Sequence, residues 1–306
     1  MNYPKIKTLV LHALQSCAMV ASLPGMLLAQ ESGTFHEEII PPSSVTARFF
    51  ALGESDLETG GSSYATSQAG LEASLWHWQI AVSRQYFSWE NADEFIEDTG
   101  GEDPWEYLNQ VRLGFSHAFV HSDRWSSQWF AGGIMGFEKE VSDSFAGYLG
   151  GYATYQINDR LMLLGGFFYS KHQKVSTDFD FIPVVGILWN PGAVRGFSAS
   201  LGLPETRAIW HFSEATRLGV ELKTIEGGVT RLADDNPVRE GGYVELISAS
   251  VVVRLETRIG RNWELSVGVG HSVHREMKLY DADGGNERTV DVERAPGFEF
   301  SVSRSF

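Results

Sequence analysis

The chain has 306 residues, 12% of them aromatic and 32 of them glycine, with a formal net charge of −15. Aromatic and glycine enrichment favours β-structure over helix, and the acidic balance excludes a nucleic-acid partner, because phosphate binding needs a basic face. The one cysteine, Cys17, falls in the N-terminal leader, so the mature chain is expected to offer no disulfide, thiolate metal site or cysteine nucleophile.

Residues 1–29 read as a cleaved secretory signal. Lys5 and Lys7 form a basic start, Thr8 to Leu28 is mostly apolar, Pro24 and Gly25 break a helix near its end, and Ala29 offers a small residue for cleavage before Gln30. Two alternatives remain. A membrane anchor is opposed by His12, Gln15, Ser16 and Pro24, which interrupt the apolar run. A lipoprotein signal at Leu14-Gln15-Ser16-Cys17 would leave the greasy stretch Ala18 to Leu28 on the mature protein. Residues 30–43 then form a polar, flexible periplasmic lead, and the barrel domain is expected over 44–306.

After Gln30 no helical period and no long apolar run is sustained, which excludes a bundle of membrane helices. What recurs is period-two alternation. Trp105, Tyr107, Val111, Leu113, Phe115 and Phe119 share one face of a stretch, with Asn109 and His117 as polar exceptions. Phe197, Ala199, Leu201 and Leu203 alternate with Ser198, Ser200 and Gly202. Trp263, Leu265, Val267, Val269, His271 and Val273 alternate with serine, glycine and charged residues.

The connections fall into two sets that alternate along the chain. Tight turns such as His121 to Arg124, Asn158 to Arg160 and Gly260 to Asn262 follow hairpin chemistry. The other set, including Gly53 to Ser63, Glu90 to Asp103, Leu232 to Gly242 and Tyr280 to Arg294, is longer and acidic. Sorting by parity is what a transmembrane antiparallel up-and-down β-barrel predicts, with turns on the periplasmic side and loops outside. The fold class is therefore all-β, with about fourteen strands and twelve as the alternative. The count depends on dividing Tyr64 to Trp89 near Ser74 to Trp76, where no strong turn residue stands.

Lipid offers no hydrogen bonds to a backbone amide, so a membrane sheet must close, with one face of each strand toward lipid and the other toward the lumen. Trp76, Trp78, Trp89, Trp105, Trp125, Trp129, Trp189, Trp210 and Trp263 gather near strand ends and read as interfacial girdles. The last strand places Phe298, Phe300, Val302 and Phe306 on one face. Such a strand, ending in Phe, resembles the signal read by barrel-assembly machinery, whose physical basis is pairing of an exposed strand with a sheet edge. Arg304 breaks the apolar pattern, but lies close enough to the end to reach the interface.

Phe181-Ile182-Pro183-Val184-Val185-Gly186-Ile187-Leu188-Trp189-Asn190-Pro191, then Phe197 to Leu203, Ile209 to Phe212 and Leu218 to Leu222, resembles a bacterial family of outer-membrane β-barrel proteins of unknown function. The resemblance covers roughly Tyr155 to Phe306. It implies the barrel fold and the cell outer membrane as location, and it supplies no catalytic residues.

A search for chemistry yields no catalytic, cofactor or metal site. His121-Ser122 and His271-Ser272 are neighbours on strands and so point to opposite faces. Ser272, His274 and Glu276 form a column whose spacing of about 7 Å is too long for direct proton transfer. The acidic loop Glu90 to Asp103 suits solvent or divalent cations but lacks EF-hand spacing, and Asp281 to Asn286 lacks the required glutamate, since Val292 stands there.

Candidate lumen charges are Arg217, Glu221 and Lys223 on one strand, Arg254, Glu256 and Arg258 on another, and Glu264 and Glu276 on the next. They are expected to form cross-strand ladders, or a charged constriction that selects solutes. The expected function is porin-like passage of small solutes. The alternatives are a plugged structural or surface-interaction barrel and, remotely, a lipid hydrolase; no enzyme activity is expected. Expected partners are outer-membrane lipids and lipopolysaccharide, the assembly machinery and small solutes, with no cofactor.

Overall fold

A computed structural model describes residues 43–58, 61–92, 103–177, 180–203, 205–223 and 228–306. The signal segment, most of the polar lead and the acidic run 93–102 lie outside the described residues.

The strands are β1 (Ser44–Asp56), β2 (Ser63–Leu75), β3 (Trp78–Glu90), β4 (Tyr107–Val120), β5 (Trp125–Phe137), β6 (Phe145–Asn158), β7 (Leu161–His172) and β8 (Phe181–Trp189). They continue with β9 (Gly196–Leu203), β10 (Glu205–His211), β11 (Thr216–Lys223), β12 (Gly228–Arg231), β13 (Tyr243–Ile259), β14 (Trp263–Tyr280), β15 (Arg288–Asp291) and β16 (Pro296–Ser305). Fourteen of them form a closed antiparallel wall: β1 to β11 in chain order, then β13, β14 and β16. β16 pairs back onto β1 from Ser44↔Ser305 to Leu52↔Gly297, so no edge is left unpaired. The count of fourteen agrees with the sequence reading, and twelve is set aside. The doubtful division falls at Trp76-His77, where Trp76 takes a positive φ of 55°. No Gly, Asn or Asp marks that turn, which is why it is faint in the sequence.

Alternation orients every strand. Ile80, Val82, Leu113, Val185, Leu201, Val253 and Val269 point outward and are exposed, forming an apolar belt around the wall. A belt of this extent is unfavourable in water and suited to hydrocarbon; the barrel spans a membrane. Seven exposed tryptophans, Trp76, Trp78, Trp125, Trp129, Trp189, Trp210 and Trp263, all ring the turn end, where their amphipathic rings fit the headgroup boundary. Trp89 and Trp105 depart from the girdle expectation: both are buried inside the loop end of the barrel. Sequence position near a strand end cannot distinguish these two environments, because alternation decides which side the ring takes.

The loop end contains a second, smaller ring. β12 pairs antiparallel with the upper part of β13, from Gly228↔Leu246 to Arg231↔Tyr243, and meets β5 in parallel at Arg231↔Phe137. On the wall, six strands separate β5 from β13, so β12 is a chord across the mouth. Gly136 permits this crossing: it faces inward, and a Cβ there would stand 2.6 Å from the Val229 carbonyl oxygen. On the other side, β15 pairs with β14, and the bridge Leu57↔Val292 ties that edge to β1. The backbone bonds Glu58 N→Asp291 O (3.0 Å) and Glu293 N→Asp56 O (2.8 Å) reinforce it. β1 to β5 and β12 to β15 thus enclose a nine-stranded collar. Its inside is filled by Tyr64, Phe87, Trp89, Trp105, Leu108, Leu232, Val244, Met277 and Leu279, among other buried apolar residues.

Candidate functional site

Below the collar, the wall encloses a lumen with two unlike faces. From β10 round to β4 the inward positions carry charge. Glu256 is the hub: it accepts from Arg207 Nη2 at 2.7 Å and from Arg217 Nε, while Arg217 Nη2 also reaches Glu264 at 3.2 Å. Arg254 pairs with Glu221 at 3.0 Å, with Glu256 at 3.5 Å and with Glu299 at 2.5 Å. Further round the wall, Glu72 accepts from Arg48 at 3.4 Å, Arg112 at 3.3 Å and Gln79 at 2.6 Å. Arg207, Glu221 and Glu256 are buried, whereas the Arg48 and Glu264 side chains keep 47% and 37% of their surface open to water.

From β5 to β8 the inward face is aromatic and aliphatic. Phe130, Phe168 and Ile182 form a buried cluster against Tyr148 and Tyr152. Glycines make room for the rings: a Cβ at Gly114 would stand 2.5 Å from the Tyr148 hydroxyl, and one at Gly150 would stand 2.6 Å from Phe130. The Tyr152 hydroxyl donates to Gln128. The rings therefore lie against the wall instead of projecting across the lumen.

The residues singled out from sequence fall as follows. Arg217, Glu221, Arg254, Glu256 and Glu264 are brought together in the network above. Arg258 is in register with Glu264 but is exposed and outside the ion pairs. The Lys223 side chain lies outside the described residues; its backbone pairs with Ser250 and Glu205. Glu276 does not share a face with Glu264. A bulge between Ser272 and His274 shifts the phase, so Ser272 pairs with Ser250 while Glu276 pairs with Ile247 on the opposite side. There Glu276 stands 3.7 Å from both His274 and Lys278. The same bulge parts Ser272 from His274, and the buried Ser272 hydroxyl exchanges hydrogen bonds with the Ala295 backbone.

Arg48, Glu72, Arg112, Arg207 and the inward aromatics were not singled out from sequence. The charged ones stand on the polar phase of their strands, which was the available signal. The aromatics gave none, since Phe130 and Phe168 look like lipid-facing residues until the phase of each strand is fixed.

No family model matches the chain, and no curated protein matches it. Among solved structures, an outer membrane channel from Pseudomonas putida is 8% identical, with a TM-score of 0.42, covering 90% of this chain and 100% of that one. A KdgM porin is 10% identical, with a TM-score of 0.37, covering 86% and 99%. The outer membrane protease OmpT from Escherichia coli is 10% identical, with a TM-score of 0.28, covering 90% and 100%. At these values the likenesses carry no argument about activity.

Proposed function

We propose that the mature chain is an outer-membrane barrel that passes small polar solutes through a narrow, charge-lined lumen. The observation that carries this reading is the girdle of inward ion pairs on β10 to β4, in which Arg48 and Glu264 remain partly open to water. Paired charges of both signs hold hydration water and offer alternating binding sites, so small polar solutes meet a lower barrier than apolar ones. Residues 1–29 are the export signal, residues 30–43 a periplasmic lead, and the turn end faces the periplasm. Phe298, Phe300, Val302 and Phe306 present the strand that assembly machinery reads. The acidic loops meet lipopolysaccharide through divalent cations.

Single-channel recording of refolded protein tests the reading. Discrete conductance is expected, with Arg48→Ala shifting ion preference toward cations. Silence in the bilayer, with the protein folded and inserted, would remove it. The apolar filling of the collar favours a second reading, a barrel closed at the loop end that serves as a surface scaffold; that reading predicts the silence.

A further inference from the structure

The turn end carries a feature that solute passage does not use. Arg124, Arg160, Arg195 and Arg261 stand in four different turns, Arg304 lies next to the end of the last strand, and all five are exposed. None of the five makes an ion pair with a described residue, although Asp123, Asp159 and Glu214 share the same rim. This is the reverse of the loop end, where Lys139, Lys171, Arg231 and Arg239 are each matched to a carboxylate. The arginines lie at the same end of the barrel as the seven exposed tryptophans. Arg304 shows the geometry most fully: it is in register with Trp263 on the lipid-facing side. Its guanidinium lies 5.3 Å from the Trp263 ring and 5.0 Å from the Phe306 ring. Its charged head is thus held over two aromatic faces beside the boundary.

We propose that these arginines form a collar for anionic phospholipid headgroups in the leaflet at the turn end. Guanidinium groups bind phosphate in a fork and are weakly hydrated, so they suit a boundary where phosphates are dense. The collar would fix the depth and tilt of a barrel whose wall is short on β8 to β11. The inference needs only that the barrel spans a bilayer, and it stands whether or not the lumen conducts.

The test reconstitutes the refolded full-length mature chain in phosphatidylcholine vesicles containing phosphatidylglycerol. Native mass spectrometry then reads which lipids stay bound after extraction. Wild type is expected to retain phosphatidylglycerol preferentially, with the preference falling as salt rises. Each arginine removed should weaken it on the order of fivefold, the equivalent of the surface attraction of one basic residue. The quintuple variant, Arg124→Gln with Arg160→Gln, Arg195→Gln, Arg261→Gln and Arg304→Gln, should lose it. Lys139→Gln with Lys171→Gln, at the opposite end, should leave it intact. If the quintuple variant does not fold, the pair Arg124→Gln with Arg160→Gln is read instead. No preference in wild type, or equal preference in the arginine variants, would overturn the proposal.

Discussion

The lower barrel and the collar above it share β1 to β5, β13 and β14 and the same alternation, yet their interiors are opposite. Below, the inward positions of β10 to β4 hold Arg207, Glu221, Arg254, Glu256 and Glu299 in mutual ion pairs. Above, the inward positions of β2, β3, β13 and β14 hold Tyr64, Phe87, Trp89, Val244, Met277 and Leu279 with almost no contact with water. The difference follows from circumference. Fourteen strands enclose a wider interior in which Arg48 and Glu264 stay partly open to water, so charges are tolerated there. A ring of nine is narrow enough for side chains to meet across it, and an apolar filling then excludes water. The chord β12 is what converts one into the other. Stability in the mouth comes from burial, whereas the paired charges below bring little net gain in stability.

The strongest attempt to break this contrast is Trp105→Ala. Trp105 is 2% exposed and packs edge-on against Phe87 and Trp89, at 5.8 and 5.3 Å between ring centres. Truncation should cost about 3–5 kcal/mol, all of it in the collar. The expected outcome is faster proteolysis of the loop over 232–242 and larger single-channel conductance, with the wall still resistant to detergent at room temperature. Unchanged conductance and unchanged protection would mean that the apolar filling is not the barrier.

The converse attempt acts on the lower barrel. Glu256→Gln leaves the buried Arg207 and the half-buried Arg217 without their shared negative charge and sets an amide N–H against one of the two guanidinium groups. Breaking such a pair from one side costs about 3–5 kcal/mol when the remaining charge is buried, and the lower part of that range applies here because Arg217 keeps Glu264. The urea midpoint of the inserted protein should fall and ion preference should move toward anions, while proteolysis of the collar loops stays at the wild-type rate. A collar that loosens equally would show that the two regions are one cooperative unit.

A gentler probe is Gly136→Val. The new side chain would meet the Val229 carbonyl and push the chord off β5, an overpacking cost of about 1–3 kcal/mol. Conductance should rise as with Trp105→Ala, but the near-ultraviolet signal of the buried tryptophans should be largely kept. Loss of that signal would show that the chord and the core cannot separate.

The wall was legible from sequence because each strand carries its own signal: alternation in Trp263 to Val273 fixes its two faces without reference to any other strand. The hairpin at Trp76-His77 was barely legible, since a tryptophan at positive φ breaks the rule that marks turns. The collar was not legible at all. β12 is four residues long, and its crossing depends on the absence of a side chain at Gly136, ninety-odd residues earlier in the chain. The lumen charges were partly legible. Arg254 and Glu256 follow from phase alone, whereas Glu276 was misplaced because a single inserted residue at the bulge inverts everything beyond it.

The smallest effect tests whether charge helps to hold the collar shut from outside. Lys139, after β5, donates to Asp235 at 2.8 Å, beyond the chord, and both groups are exposed. The hydrogen bond from Lys139 and then its charge hold the Asp235 carboxyl below the usual aspartate value, and the bond to Asp235 raises the Lys139 ammonium. The depressed acid contributes above its unfolded value and loses that contribution as pH falls through its folded one. The raised base contributes below its unfolded value and loses it as pH rises through its folded one. The latch is therefore flat across neutral pH and weakens only at the acid and alkaline extremes, and salt screens it throughout. Asp235→Asn should raise the proteolysis rate of the 232–242 loop slightly at low salt and leave conductance unchanged at high salt. If it instead opens the mouth as far as Trp105→Ala does, an exposed ion pair is outweighing a buried aromatic core, and the division of labour between charge and burial drawn above is inverted.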